Sequence, residues 1–326
     1  MTAAPRPADW QGEAMDIATL QRLCARTWPG LEQDRLGEWE LRAAGGFTGR
    51  ANSALPLGDP GMPLPAALAR VTDWYLARGL APRLQLPAEL PEGAGARRSP
   101  AGDPAPGVAA LCDAQGWAAE PWTLVMLPAA PIPDPVAEPR GVVPGVELQR
   151  PEGPDLAERS LLRDRAVDPG MELRWSEEPD EAWLNLYHPR GALLPPAARR
   201  VITAAPAHYL SVRAGGAVVG IGRASVAGGV VVLTAIEVVP AERRRGIGTL
   251  ITEALAARGA ASGAKRVALQ VFAHNAGAVA LYRGMGFRAH HRYRYRYLPG
   301  RCRRPSSRGA TLDPRSSVIG RPSGVR

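Results

Sequence analysis

The chain has 326 residues and a formal net charge of +9, with 45% apolar residues and three cysteines. That length is ample for two cores of ordinary domain size. The cysteines Cys24, Cys112 and Cys302 form no C-x-x-C and leave an odd count, which excludes a disulfide framework and points to reduced thiols in a cytoplasmic protein. No long apolar run opens the sequence, so neither export nor a membrane span is expected.

In chain order, residues 67 to 79 predict a helix ending Trp74-Tyr-Leu-Ala-Arg-Gly79. A strand Pro82–Leu86, a helix around Leu111–Gln115, Gly116-Trp117 and a strand Trp122–Leu127 follow. Six of the eight tryptophans lie in this half, so it has large side chains with which to pack. Residues 91 to 107 are rich in Pro, Gly and Ala and read as an exposed loop. Residues 128–144 carry six prolines and read as a stiff linker. Domains are therefore expected at 1–127 and 145–298, with a basic tail at 299–326. The tail from residue 301 on holds seven arginines against Asp313, most of the net charge. It is expected to be disordered, and nucleic-acid binding is not indicated.

The second half predicts a strand at 145–150 and helices at 154–166, 180–187 and 195–203. Strands His208–Arg213 and Ala217–Val226 turn at Gly-Gly pairs into a third, Val230–Val239, which Pro240 ends. The turn after it reads Arg243-Arg-Arg-Gly-Ile-Gly248, and a helix follows with Ile247, Leu250, Ile251, Ala254 and Leu255 on one face. Glycines let successive N–H groups point at one anion, and the helix adds its positive end. A strand Arg266–Val271 leads to Asn275, a short helix with Ala280-Leu-Tyr282, and Gly286-Phe287. Tyr293, Tyr295 and Tyr297 then alternate with Arg292, Arg294 and Arg296, the period of a strand with one aromatic and one charged face.

Val238-x-Pro240-x-x-Arg243-x-x-Gly246-x-Gly248, then Asn275, Ala280-Leu-Tyr282 and Gly286-Phe287, resembles the core of the GNAT superfamily of acetyl-CoA-dependent N-acetyltransferases. The resemblance implies an α/β fold with a mixed (α+β) sheet and acetyl-CoA as co-substrate. The first half repeats the element order of the second, so a tandem GNAT-like fold is expected, with a degenerate N-terminal copy and a coenzyme-binding C-terminal copy. In place of a phosphate loop the first copy has Leu55–Pro65, whose four prolines remove the N–H groups a cradle needs. An unrelated α/β domain is the other reading of that half.

Residue by residue, the resemblance implies that backbone N–H groups of Arg244, Arg245, Gly246, Ile247, Gly248 and Thr249, with Arg243 beside them, bind the pyrophosphate. Val238 would hold the pantetheine arm and steady the oxyanion, and Asn275 would touch the arm from the other side. Tyr282 would protonate the leaving thiolate, and Glu237 would take the amine proton through water. Some relatives carry a glutamate where this chain has Gln270. Glu237 also reads as a solvated strand residue, Tyr282 as a core residue and Asn275 as an N-cap. Arg174, Trp175, Tyr187, Arg292 and Arg294 are acceptor-pocket candidates. The five histidines show no metal-ligand spacing, and no metal is expected.

The first-half motifs Trp39-Glu-Leu-Arg42, Gly45-Gly-Phe-Thr48, Arg50-Ala-Asn-Ser53 and Leu55-Pro-Leu-Gly58 are similar to an actinobacterial tandem group of N-acetylglutamate synthase-like proteins. That similarity implies the α-amine of glutamate as acceptor, in arginine biosynthesis. Three alternatives stay open: acylation of an amino sugar, acetylation of a protein amine, and a coenzyme A-binding module without catalysis. The partner is thus a small-molecule amine in the leading reading, with no membrane involved.

Overall fold

The computed structural model describes residues 15–91, 103–129, 171–187 and 194–300. The predicted strand at 145–150, the helix at 154–166, His188, most of the linker and the tail from 301 lie outside them. The first half opens with α1 (Ile17–Arg26), β1 (Glu32–Leu36) and β2 (Trp39–Ala43), and continues through α2 (Leu64–Leu76), β3 (Arg83–Ala88), α3 (Val108–Ala114), β4 (Ala118–Ala119) and β5 (Thr123–Pro128). The second half brings β6 (Met171–Ser176), α4 (Glu181–Leu186), α5 (Ala198–Ile202), β7 (His208–Ala214), β8 (Ala217–Ala227) and β9 (Val230–Val238). After these come α6 (Ile247–Ala261), β10 (Arg266–Phe272), α7 (Ala276–Gly284) and β11 (Phe287–Tyr297).

The sequence reading finds the longer helices and strands from residue 64 to 128 and from 180 to 297 in the right order. It misses α1, β1, β2, β4 and β6. α1 carries a start signal, Asp16 accepting from the Thr19 N–H at 2.8 Å. β6 alternates Met171, Leu173 and Trp175 with Glu172, Arg174 and Ser176, the pattern of a half-buried strand. Arg174 and Trp175, expected in a loop between helices, are therefore strand residues.

One mixed sheet runs β3-β11-β5-β10-β9-β8-β7-β6, with β4 also on β11. Only β9 and β10 are parallel. The β1–β2 pair joins its β3 end through single bridges, Glu40 to Leu55 and Ala54 to Leu84. The strands of the two halves interleave: β5 of the first lies between β10 and β11, and β11 lies between β5 and β3. β5 can do this because Leu124-Val-Met-Leu127 is apolar on both sides. Val125 packs under α1, and Met126 packs on the opposite face.

Helices α6 and α7 cover one face and α1, α4 and α5 the other. Against α6 lie Gly220 and Gly222 of β8 and Gly259 of the helix itself, whose added Cβ would stand 2.5 Å from Val231. The apolar core beneath it includes Leu210, Val231, Leu233, Ile251, Leu255, Leu269 and Phe287. The other face is filled by Trp28, Trp183, Tyr187 and Tyr209 at one end, and by Leu20, Leu23, Cys24, Tyr293 and Tyr295 at the other. Among the described residues no helix is long and apolar enough to cross a membrane.

Candidate active site

β9 and β10 are hydrogen-bonded neighbours only from Val230–Arg266 to Leu233–Leu269. Beyond that point β9 pairs with β8 alone and β10 with β5 alone, so the two strands part and leave facing edges unpaired. A register shift against β8 falls at the same place, and Ala235 takes a φ of 52°. The Thr234 hydroxyl, buried at the fork, has no partner. An extended ligand with amide groups is what such a wedge can accept, because unpaired strand edges offer backbone donors and acceptors.

The fork leads to the turn picked out by sequence. Pro240–Glu242 form a short 3-10 turn, Arg244 has φ 67° and Gly246 has φ 80°, from which α6 springs. Among the described residues the N–H groups of Arg244, Gly246, Ile247, Gly248 and Thr249 have no hydrogen-bond partner in the protein. A 15-residue helix therefore presents its positive end and a row of open donors to solvent. The two glycines differ in purpose. Gly246 supplies the left-handed turn, and its missing Cβ faces open space. Gly248 lies inside α6, where a Cβ would come within 3.1 Å of Leu281 on α7. The Arg243 Nε donates to the Val238 carbonyl at 3.2 Å, and Arg245 pairs with Glu242. Arg244 is exposed.

Asn275 caps α7, its Oδ1 accepting from the Ala278 N–H at 3.2 Å. Tyr282 is 7% exposed, packs against Phe287 at 5.9 Å between ring centroids, and has its phenol pushed up to about 12 by burial. Glu237 is half-buried and stands opposite Ile221 on β8, and Ile221 packs with Trp28 and Tyr187. Its carboxylate thus projects to the face covered by α1, α4 and α5, and its charge acts on the Tyr187 phenol. Gln270 projects to the same face and accepts from the Tyr293 hydroxyl at 3.1 Å.

The acceptor-pocket candidates scatter. Tyr187, just past α4, is 3% exposed and sits beside Glu237; burial raises its phenol above the ordinary value. Arg174 is exposed on β6, the far edge strand, three strands from β9. Trp175 faces α6, with the Arg258 guanidinium 4.9 Å from its ring. Arg292 and Arg294 lie over the Trp122 ring at 4.0 and 4.5 Å, whereas Tyr293 and Tyr295 between and beside them face α1. Strand alternation puts these two arginines on the sheet face opposite Glu237. Among the described residues no cluster of histidine, cysteine or acidic side chains has the makings of a metal site.

Sequence reasoning missed the contribution of the loop Ala44–Ser53 as an element of the site. Asn52 ties it together: Oδ1 accepts from the N–H groups of Ala44 and Gly46 at 2.7 and 2.8 Å, and Nδ2 donates to the carbonyls of Phe47 and Thr48 at 2.6 and 2.9 Å. Gly49 lies flat against Tyr295, whose ring carbons would be 2.7 Å from a Cβ. Arg50 comes to rest 4.4 Å over the Trp28 ring, which itself stands 6.3 Å from the Tyr187 ring. Thr48, Ala235 and Arg244 are the non-glycine residues with positive φ among those described, and all three lie in segments bordering the fork. Backbone strain of about 1–3 kcal/mol each survives only where surroundings enforce it, and such sites are commonly functional.

A family model described as "Probable histone acetyltransferase Rv0428c C-terminal" matches residues 14–103 and 145–296, well over half of the chain. The protein named "Probable histone acetyltransferase Rv0428c" from Mycobacterium tuberculosis (strain ATCC 25618 / H37Rv) is 36% identical over 74 residues, 23% of this chain and 24% of its own length. The match thus spans about a quarter of that relative. A solved structure of a GCN5-related N-acetyltransferase from Kribbella flavida superimposes with a TM-score of 0.56 at 18% identity, covering 88% of this chain and 97% of its own. At that identity the likeness is one of fold.

Proposed function

The chain belongs to the GNAT family of acetyltransferases, in the group described by the Rv0428c C-terminal model, and we propose that it moves an acetyl group from acetyl-CoA to the primary amine of a small molecule. The observation that carries this reading is the row of open N–H groups at the start of α6, placed where β9 and β10 part. The pyrophosphate lies on the N–H groups of residues 244–249, with Arg243 and Arg244 near it. The pantetheine arm enters the fork beside Val238, and Asn275 flanks it from α7.

In the reaction the amine nitrogen loses a proton to Glu237 through water and attacks the thioester carbon. The carbonyl oxygen gathers charge beside the Val238 backbone, the C–S bond breaks, and Tyr282 gives its proton to the departing sulfur. A phenol held near 12 stays protonated at every working pH, which suits a donor, and solvent restores its proton.

The α-amine of glutamate is the acceptor to test first, because the motif around Asn52 that resembles the N-acetylglutamate synthase-like group supports the loop that reaches the acceptor face. Arginine biosynthesis in the cytoplasm is the setting this substrate implies. The name of the mycobacterial relative puts a lysine peptide of histone type in the same trial. Acetyl-CoA-dependent thiol release is followed over free amino acids, amino sugars and such a peptide. Release with one class settles the acceptor. Binding of acetyl-CoA with no release over the whole set would overturn the transfer reading and leave a coenzyme-binding module.

A further inference from the structure

We propose that Arg50, supplied by the first half of the chain, grips an anionic group on the acceptor, so that the favoured substrates are small amines carrying a carboxylate. This rests on the transfer reading above and names the substrate class of that same site.

The Trp28 indole, fully buried, has two guanidiniums against it, Arg50 at 4.4 Å and Arg223 at 4.9 Å. Arg223 is 0% exposed and spends its donors on the carbonyls of Ile202, Thr27 and Ala205 at 3.1, 3.0 and 3.2 Å, none of them charged. Arg50 is half-buried and forms no ion pair with a carboxylate among the described residues. One buried and one half-buried cation beside the same ring make this corner of the acceptor face positive, and a guanidinium left without a carboxylate retains donors in the forked geometry that fits one.

Arg50 lies over Trp28, whose ring is 6.3 Å from that of Tyr187, and Glu237 stands opposite Ile221 of the same cluster, so the cation and the proposed base border one group of side chains. An amine directed to Glu237 and an anion directed to Arg50 then belong to one short molecule lying across that group. The loop is built to hold this position. Asn52 uses both of its side-chain atoms to brace it, Gly49 seats it on Tyr295, and Thr48 is forced to φ 60°. A solvated surface arginine needs none of these constraints. The degenerate half keeps a use despite the loss of its own phosphate loop: it walls and charges the pocket of the other half.

The test uses the full chain with Arg50→Gln and Arg50→Lys. Matched acceptors are compared: an amino acid, its carboxamide, and the alkylamine without either group. The Gln variant is expected to raise KM for the carboxylate about 10- to 100-fold, with little change for carboxamide and alkylamine or in KM for acetyl-CoA, and Lys is expected to recover part of the loss. The same acid and amide are titrated calorimetrically into protein loaded with desacetyl coenzyme A, where no turnover occurs. Loss of acid binding in the Gln variant, with coenzyme affinity intact, supports the clamp even if no acceptor turns over. In that case it is the transfer reading that fails. An equal loss on all three acceptors, or unchanged binding of the acid, overturns the proposal.

Discussion

At the scale of single residues the site separates into groups that hold the backbone open and groups that move protons. Gly246 belongs to the first kind. Its φ of 80° is closed to proline, whose ring fixes φ near −65° and removes an N–H. Gly246→Pro is expected to weaken acetyl-CoA binding at least tenfold, read by calorimetry, and to lower the thermal transition as well, since the native φ is one proline cannot adopt. Tyr282 is the proposed member of the second kind. Tyr282→Phe keeps the packing on Phe287 and removes the proton donor, so kcat is expected to fall roughly 100-fold with coenzyme affinity unchanged. Equal turnover would leave the tyrosine as a core residue. Both proposed roles could be read from the sequence because they depend on near neighbours in the chain. That of Arg50 could not. The residue was visible as part of a motif, yet nothing in the motif says which sheet face it reaches.

At the scale of elements, glycine decides how closely α6 lies on the sheet. A Cβ at Gly259 would stand 2.5 Å from the Val231 Cβ, which cannot swing aside. Gly259→Ala is therefore expected to cost about 1–3 kcal/mol of stability in denaturant unfolding, as overpacking does. The docking of α1 on β11 is sensitive to acid for a different reason. His291 is 0% exposed, contacts the Gln21 side-chain oxygen through Nε2 at 2.9 Å and the His290 ring at 2.9 Å, and is held neutral by burial down to about pH 3. His290, bound to the Met15 carbonyl, is lowered as well by its burial. A base whose folded value lies below its unfolded one stabilises fully above about 6.5, and that contribution is lost as pH falls toward 3. For His291 alone the loss reaches about 2 kcal/mol at pH 5. Unfolding followed from pH 7 to pH 5 should show this drop, and His291→Gln should lessen it.

At the scale of the molecule, the halves are joined by more than their linker. Strands β5 and β11 interleave them, and Arg223 of the second half bonds the Thr27 carbonyl at the end of α1. Arg223→Met would leave the buried Thr27 and Ala205 carbonyls without a donor, Ile202 keeping the Tyr209 hydroxyl, and a loss on the order of 3 kcal/mol is expected, with both halves unfolding in one transition. Two separate transitions would mean that the shared sheet does not couple them. The sequence by itself determined the glycine turn after β9, the helix that follows, and the order of the longer elements from residue 64 to 128 and 180 to 297. These follow from local demands: a positive φ, a period of 2 or 3.6, a missing N–H. Tertiary structure alone decided three things: that β5 lies between β10 and β11, that Arg292 and Arg294 face Trp122 rather than Glu237, and that Arg50 lies over Trp28. Alternation along a strand names two faces without saying which one is covered, and backbone hydrogen bonds are blind to the identity of the strand they join. Both choices are made by contacts between residues far apart in the chain.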